Sequence, residues 1–257
     1  MTLLAGEVYV LRGKVRDQVE VYDVINNRLQ RRLTVPNSRR LADMTSCEHY
    51  RCVYIADCRP NVECIHRLDV QGALTRWAVK DEPCGISVNA AHNVLVTCGV
   101  VRKIKEFSSH GDLLRKLRLP GEVINPSHAI QTRDGHLIVS HGYTGDAVHR
   151  VCKISADGHD IIGSHGGQPG SDIGQYNLPR HLAVDDNEFV FVADLNNRRV
   201  TLLSSTLESS RMVVSPEDLK WWPAKLCLDA QTRRLYVAVN KRTDRKLTRG
   251  RVVVFDI

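Results

Sequence analysis

Apolar and polar residues alternate in short runs along the chain, and one such run returns six times: EVYVLR (7–12), CVYIAD (52–57), NVLVTC (93–98), HLIVSH (136–141), FVFVAD (189–194) and RLYVAV (234–239). Alternation with a period of two over five or six residues is the pattern of a β-strand. Marked by their first apolar residues, the copies stand at Val8, Val53, Val94, Leu137, Val190 and Leu235, at intervals of 45, 41, 43, 53 and 45 residues. A repeat of that length signals an array of supersecondary units.

Three further elements keep phase with this run. Upstream stands a proline-led strand: PCGISV (83–88), PSHAIQ (126–131), PRHLAV (179–184) and PAKLCL (223–228). Downstream comes a third strand, RLDV (67–70), KIKEFS (103–108), RVCKIS (150–155), RVTLLS (199–204) and RVVVFD (251–256). A fourth apolar run closes most units: RLQRRLTV (28–35), ALTRWAV (73–79), LLRKLRL (113–119), DIIGS (160–164) and RMVV (211–214). Turn signals such as Asp134-Gly135 and Asp157-Gly158 separate the middle strands. Six units of four short strands predict an all-β fold, a six-bladed β-propeller occupying 1–257 as a single domain. The blades are expected near 1–35, 36–80, 81–120, 121–166, 177–215 and 221–257. The first blade is expected to lack its innermost strand, because Val8 lies close to Met1, and the last to end after its third strand. The longest interval is assigned to SHGGQPGSDIGQYNL (164–178), with the Gly-rich stretch 163–174 read as an interblade linker.

One unit carries a family resemblance. GQYNLPRHLAVDDNEFVFVADLNNRRVTLLS (174–204) resembles an NHL repeat, with its Gly-Gln-aromatic-Asn-x-Pro opening, its Val-Ala-Asp strand end and Asp194-x-x-Asn197-x-Arg199-Val200. The other blades are degenerate versions, and the chain is similar to the C-terminal propellers of tripartite-motif proteins. RING, B-box and coiled-coil segments are absent from the sequence, so ligase activity is not carried over. The resemblance implies a non-catalytic platform that binds protein or RNA.

Composition narrows the setting. The chain carries 36 Lys and Arg against 29 Asp and Glu, a net charge of +7, which favours an acidic partner. No apolar run reaches the roughly 20 residues that span a bilayer. The eight scattered cysteines, in strand-like contexts such as LCLD (226–229), read as reduced thiols of a cytoplasmic or nuclear protein, with cytoplasmic the expected place. Cys47-Glu48-His49-x-x-Cys52 has the look of half a zinc site, but packed thiols are favoured there and at Cys58 and Cys64, which flank the next turn.

Candidate chemistry falls in two places. The proline-led strands put Gly85, His128, His181 and Lys225 near a channel mouth, where propeller hydrolases and lyases hold zinc or calcium. Two histidines fall short of three zinc ligands, so no catalytic residue, metal or cofactor is assigned; a metal-dependent hydrolase or lyase at that mouth is the rival reading. Antiparallel topology places the second-to-third-strand loops on the same face as the interblade crossings. That face collects Arg12, Lys14, Arg16, Arg39, Arg40, Arg59, Arg102, Arg180, Arg198, Lys220, Lys225, Lys241, Arg242 and the run KRTDRKLTRGR (241–251). Trp221 and Trp222 offer stacking to an unpaired base. The expected partner is therefore a protein, or single-stranded or hairpin RNA, and not a membrane. Asn197 and Arg199 are assigned to bracing their blade.

Overall fold

The computed structural model describes residues 1–11, 18–26, 28–36, 38, 40–243 and 246–257, with the side chains of 242, 243 and 246–249 outside that description. The chain forms two compact units, Met1–Leu117 and Arg118–Ile257. In the first unit, blade 1 is β1 (Thr2–Leu4), β2 (Glu7–Leu11), β3 (Gln18–Asp23) and β4 (Leu29–Thr34). Blade 2 is β5 (Leu41–Cys47), β6 (Cys52–Asp57), β7 (Cys64–Asp69) and β8 (Leu74–Ala78), and blade 3 is β9 (Gly85–Val88), β10 (Val94–Cys98), β11 (Lys103–Phe107) and β12 (Leu113–Arg118). In the second unit, blade 4 is β13 (His128–Gln131), β14 (Leu137–His141), β15 (His149–Ile154) and β16 (Ile161–Gly167). Blade 5 is β17 (Pro179–Val184), β18 (Val190–Asp194), β19 (Arg199–Leu203) and β20 (Ser210–Val214). A four-residue helix, α1 (Pro216–Leu219), leads to blade 6, which is β21 (Trp222–Asp229), β22 (Arg234–Thr243) and β23 (Lys246–Asp256). The sheets are antiparallel with strands in chain order, four-stranded in blades 1–5 and three-stranded in blade 6. The fold class is the all-β, six-bladed propeller that the repeat predicts.

Period-two patterning explains how a blade packs. Strands β6, β10, β14 and β18 are buried at every position. In β6, Val53 and Ile55 join Tyr9, Val19 and Val21 of blade 1, whereas Tyr54 and Ala56 join Ile86, Val94 and Val96 of blade 3. In β18, Val190 and Val192 pack with Ile130, Ile138 and Val151 of blade 4, while Phe191 and Ala193 pack with Leu226, Leu235 and Val237 of blade 6. Alternate side chains of one strand thus serve two neighbouring interfaces.

Four expectations are corrected. Blade 1 has its innermost strand: Leu4 pairs with Glu7 across the two-residue turn Ala5-Gly6, whose φ values of 50° and 74° match the left-handed turn that joins twisted hairpin strands. A hairpin needs so few residues that the room before Val8 suffices. The fourth strand of blade 4 runs to Gly167, so residues 163–167 of the Gly-rich stretch are strand and the linker begins after them. The third strand of blade 2 starts at Cys64, not Arg67, because pairing with β6 continues to Asp57. The basic run at 241–251 is no loop: β22 and β23 stay paired beyond Val239–Arg251 to Thr243–Lys246, extending blade 6 as a hairpin.

Blade 5 shows what a buried charge demands. Asp194 is fully buried at the end of β18, and burial raises its carboxyl pKa while its bonding partners lower it. Its Oδ1 accepts the Asn177 backbone N–H at 2.8 Å. Its Oδ2 accepts Asn197 Nδ2 at 2.7 Å and Arg199 Nε at 2.8 Å. The Arg199 guanidinium also donates to the carbonyls of Ser171, Asp172 and Gln175, tying the linker to the blade.

Three substitutions test this account. Arg199→Ala leaves Asp194 without its charge partner and should destabilise the protein by about 3–5 kcal/mol in urea unfolding. Arg199→Lys should rescue little of this, since an ammonium cannot reproduce the guanidinium fork. Ala5→Gly relieves a side chain held at positive φ and should stabilise by about 1 kcal/mol; an unchanged or lower Tm would count against the turn assignment.

Candidate functional site

The innermost strands of three blades begin with one extra residue. The register slips between Leu41 and Asp43, between Pro179 and His181, and between Pro223 and Lys225. Such bulges re-aim the side chain that follows. His181 stands opposite Ala193, Lys225 opposite Ala238, His128 opposite Ser140 and Gly85 opposite Thr97. Asp43, opposite Ala56, holds the same place in blade 2. Sequence reading missed it because Arg40-Leu41-Ala42 lacks the proline; counting back from Ala56 in the CVYIAD run would have found it.

These side chains clasp neighbouring blades. In the first unit Asp43 is fully buried; its Oδ1 accepts the Met44 N–H at 2.9 Å and its Oδ2 accepts the Ile86 N–H of blade 3 at 3.1 Å. In the second unit His181 Nδ1 accepts the Leu226 N–H of blade 6 at 3.3 Å. His128 and His181 are buried and stacked, with ring centroids 3.9 Å apart and planes inclined by 29°. Lys225 is half-buried.

The basic residues divide. Arg12, Lys14, Arg16 and Arg39 lie outside the described residues, as does the side chain of Arg242. In the first unit Arg40 pairs with Glu82 at 3.5 Å, Arg59 lies 3.8 Å from Asp57, and Arg102 sits half-buried in a turn at φ 52°. In the second unit Arg180 is the half-buried bulge residue of β17, while Arg198, Lys220, Lys241 and Arg251 are exposed. Trp221 packs against the core between blades 5 and 6. The Arg251 guanidinium lies 4.5 Å from its ring centre and the Lys241 ammonium 6.0 Å from it, and Arg251 also donates to the Leu219 carbonyl at 3.2 Å. A guanidinium therefore already stacks where a base was expected. Trp222 is half-buried and paired with Asn240 in the sheet. Acidic residues at the other strand ends cap turns: Asp185 accepts the N–H groups of Asn187 and Phe189, and Asp229 those of Gln231 and Thr232.

The thiols and histidines of blade 2 rearrange the sequence picture. Cys47 and Cys52 oppose each other inside the core, whereas His49 is exposed and stacks on His92 at 4.1 Å. The half zinc site is thereby split between the interior and the surface. Another cluster takes its place: Asp57, Cys64 and His66 are buried and offer one ligand atom each within 4.8 Å of one another. Cys64 Sγ is 3.4 Å from His66 Nε2, which is 3.5 Å from Asp57 Oδ2. Asp57 Oδ1 accepts the Arg59 N–H at 3.0 Å, but Oδ2 takes no hydrogen bond. Burial pushes the Cys64 thiol up to about 11 and the His66 imidazole below its ordinary value. His66 escaped the sequence reading because the third strand was begun at Arg67.

No family model matches the chain, and no curated protein matches it. Among solved structures it is similar to a protein of unknown function from Bacteroides caccae, at 16% identity and a TM-score of 0.72 over 98% of this chain and 90% of that one. It is also similar to virginiamycin B lyase from Staphylococcus aureus, at 14% identity and a TM-score of 0.65 over 98% of this chain and 80% of that one. A chain of a nidogen/laminin complex matches at 15% identity and a TM-score of 0.68, covering 87% of this chain and 82% of that one. At these identities the likeness is one of fold. Among the described residues, no helix is long and apolar enough to cross a membrane.

Proposed function

We propose that the chain is an NHL-type propeller serving as a non-catalytic recognition module, and that it binds an acidic segment of a partner protein at the basic end of blades 5 and 6. One observation carries this reading: Arg198 and Lys220 are exposed and form no ion pair among the described residues, at the strand ends where Lys241 and Arg251 also stand. Arg198 follows β18, Lys220 precedes β21, and Lys241 lies late in β22, so antiparallel topology puts all three at the same end of their sheets. Unpaired surface cations steer acidic partners and set the salt dependence of association. The NHL assignment draws support from the Asp194–Asn197–Arg199 brace, in which each residue of the motif has a bonded role. RNA is the weaker partner, since Trp221 is covered by Arg251. The similar chain in a nidogen/laminin complex is in keeping with a propeller acting in protein recognition.

A second reading, a metal-dependent lyase or hydrolase, draws on the stacked His128 and His181 and on the fold shared with virginiamycin B lyase. Fold likeness alone carries no chemistry, and His181 already serves as a clasp.

The test compares acidic peptides with a random RNA pool over a range of salt. Arg198→Glu/Lys220→Glu should weaken peptide binding at least about tenfold at low salt, with the difference shrinking as the Debye length falls. Lys116→Glu/Arg118→Glu, exposed on the outer strand β12, should have little effect. RNA binding without peptide binding would replace the partner class, and binding of neither would reject the basic end as a contact surface.

A further inference from the structure

Blades 2 and 5 place the same carboxylate in the same position and surround it with different chemistry. Asp57 pairs with Cys64 across β6 and β7 as Asp194 pairs with Arg199 across β18 and β19. In blade 5 the buried carboxylate meets a guanidinium and the Asn197 amide. In blade 2 the arginine position is Cys64, the asparagine position three residues on from the carboxylate is Pro60, and the position of Thr201 is His66. Proline brings no side-chain donor and a thiol only a weak one. The result is a fully buried carboxylate whose Oδ2 takes no hydrogen bond and faces His66 Nε2 at 3.5 Å and an arginine at 3.8 Å. A buried carboxylate left this way is costly. Arg59 supplies charge at 3.8 Å but no hydrogen bond, so a cation bound directly to Oδ2 would complete the site.

We propose that Asp57, Cys64 and His66 form a zinc site that replaces, in blade 2, the guanidinium brace of blade 5. A thiolate, an imidazole and a carboxylate form a donor set for a borderline-soft divalent ion, whereas calcium and magnesium take oxygen ligands. Zinc bonds of about 2.3 Å to sulfur and 2.0–2.2 Å to nitrogen and oxygen set the edges of a tetrahedron at roughly 3.3–3.6 Å. The observed Cys64–His66 and His66–Asp57 separations of 3.4 and 3.5 Å are edges of that length. Three protein ligands leave the fourth position to water. The ion clips the end of β6 to the start of β7, the two strand ends that Arg199 helps to hold in blade 5. It is distinct from the stacked pair His128 and His181. His66 Nδ1 has no hydrogen-bond partner, so affinity should fall about 10–100-fold below that of a site whose imidazole is supported from behind.

The experiment strips the full chain with a chelator and titrates it with cobalt(II), then zinc(II). Wild type should take up about one cobalt per chain with tetrahedral visible bands and a thiolate-to-cobalt charge-transfer band, all displaced by zinc. Cys64→Ser should remove the charge-transfer band, and His128→Ala/His181→Ala should leave it intact. Because a ligand variant can simply unfold, the decisive variant is Cys64→Arg/His66→Thr, which gives Asp57 the arginine and threonine that blade 5 has at those positions. It should fold without metal, bind no cobalt and gain no thermal stability from zinc, while wild type gains stability as binding to the folded state requires. The site is rejected if wild type shows no thiolate band, if the band survives Cys64→Ser, or if zinc raises the Tm of both proteins equally.

Discussion

A short strand buried on both faces cannot be stable alone, and blades 2 to 5 of this protein are each built around one. The alternate residues of β18 reach toward blades 4 and 6, and those of β6 toward blades 1 and 3. Burial of each such side chain contributes about 1.5–3 kcal/mol, but only while the neighbouring blade is present to receive it. The repeat is therefore not ornamental. Blades 2 and 5 each supply half of two interfaces, and the polar groups at their strand ends are drawn into the interior with the apolar ones.

Those polar groups carry much of the individuality of the fold. Asp43 and His181 occupy matching register positions and use different acceptors, a carboxylate and an imidazole nitrogen, to receive a backbone N–H from the next blade. Asp57 and Asp194 also match, yet Asp194 is hydrogen-bonded by a guanidinium, whereas Asp57 faces a thiol and an imidazole with its arginine 3.8 Å away. Propeller blades tolerate such exchange because the backbone ladder is independent of these side chains. Only the compensation of charge must be solved afresh in each blade.

Surface charge follows the same division between structure and recognition. The acidic residues Asp185 and Asp229 bond the backbone of their own turns, so their placement is explained by hairpin geometry. Arg198 and Lys220 have no such partners among the described residues. Trp221 lies between these cases, with its ring packed on the core and one side covered by Arg251. The proposed contact surface rests on Arg198 and Lys220 because no turn or ion pair among the described residues accounts for these cations.

Period-two runs at near-constant spacing determined the number of blades, the strand order and the second strand of every blade, because alternation and repeat length are one-dimensional properties. The same reasoning identified Asn197 and Arg199 as bracing residues, since their spacing suits a turn closed by side chains. It failed where pairing outran pattern. Cys64 and His66 lie in a strand whose sequence, CIHRLD, alternates poorly, and only its register against β6 shows that it begins there. Asp43 was hidden because its strand lacks the leading proline that marked His181 and Lys225. The innermost strand of blade 1 was dismissed on length, whereas hydrogen bonding needs only three paired residues. Tertiary structure alone decided which polar side chains meet, because the partners of a buried charge come from different strands and different blades, and no local pattern encodes the distance between them.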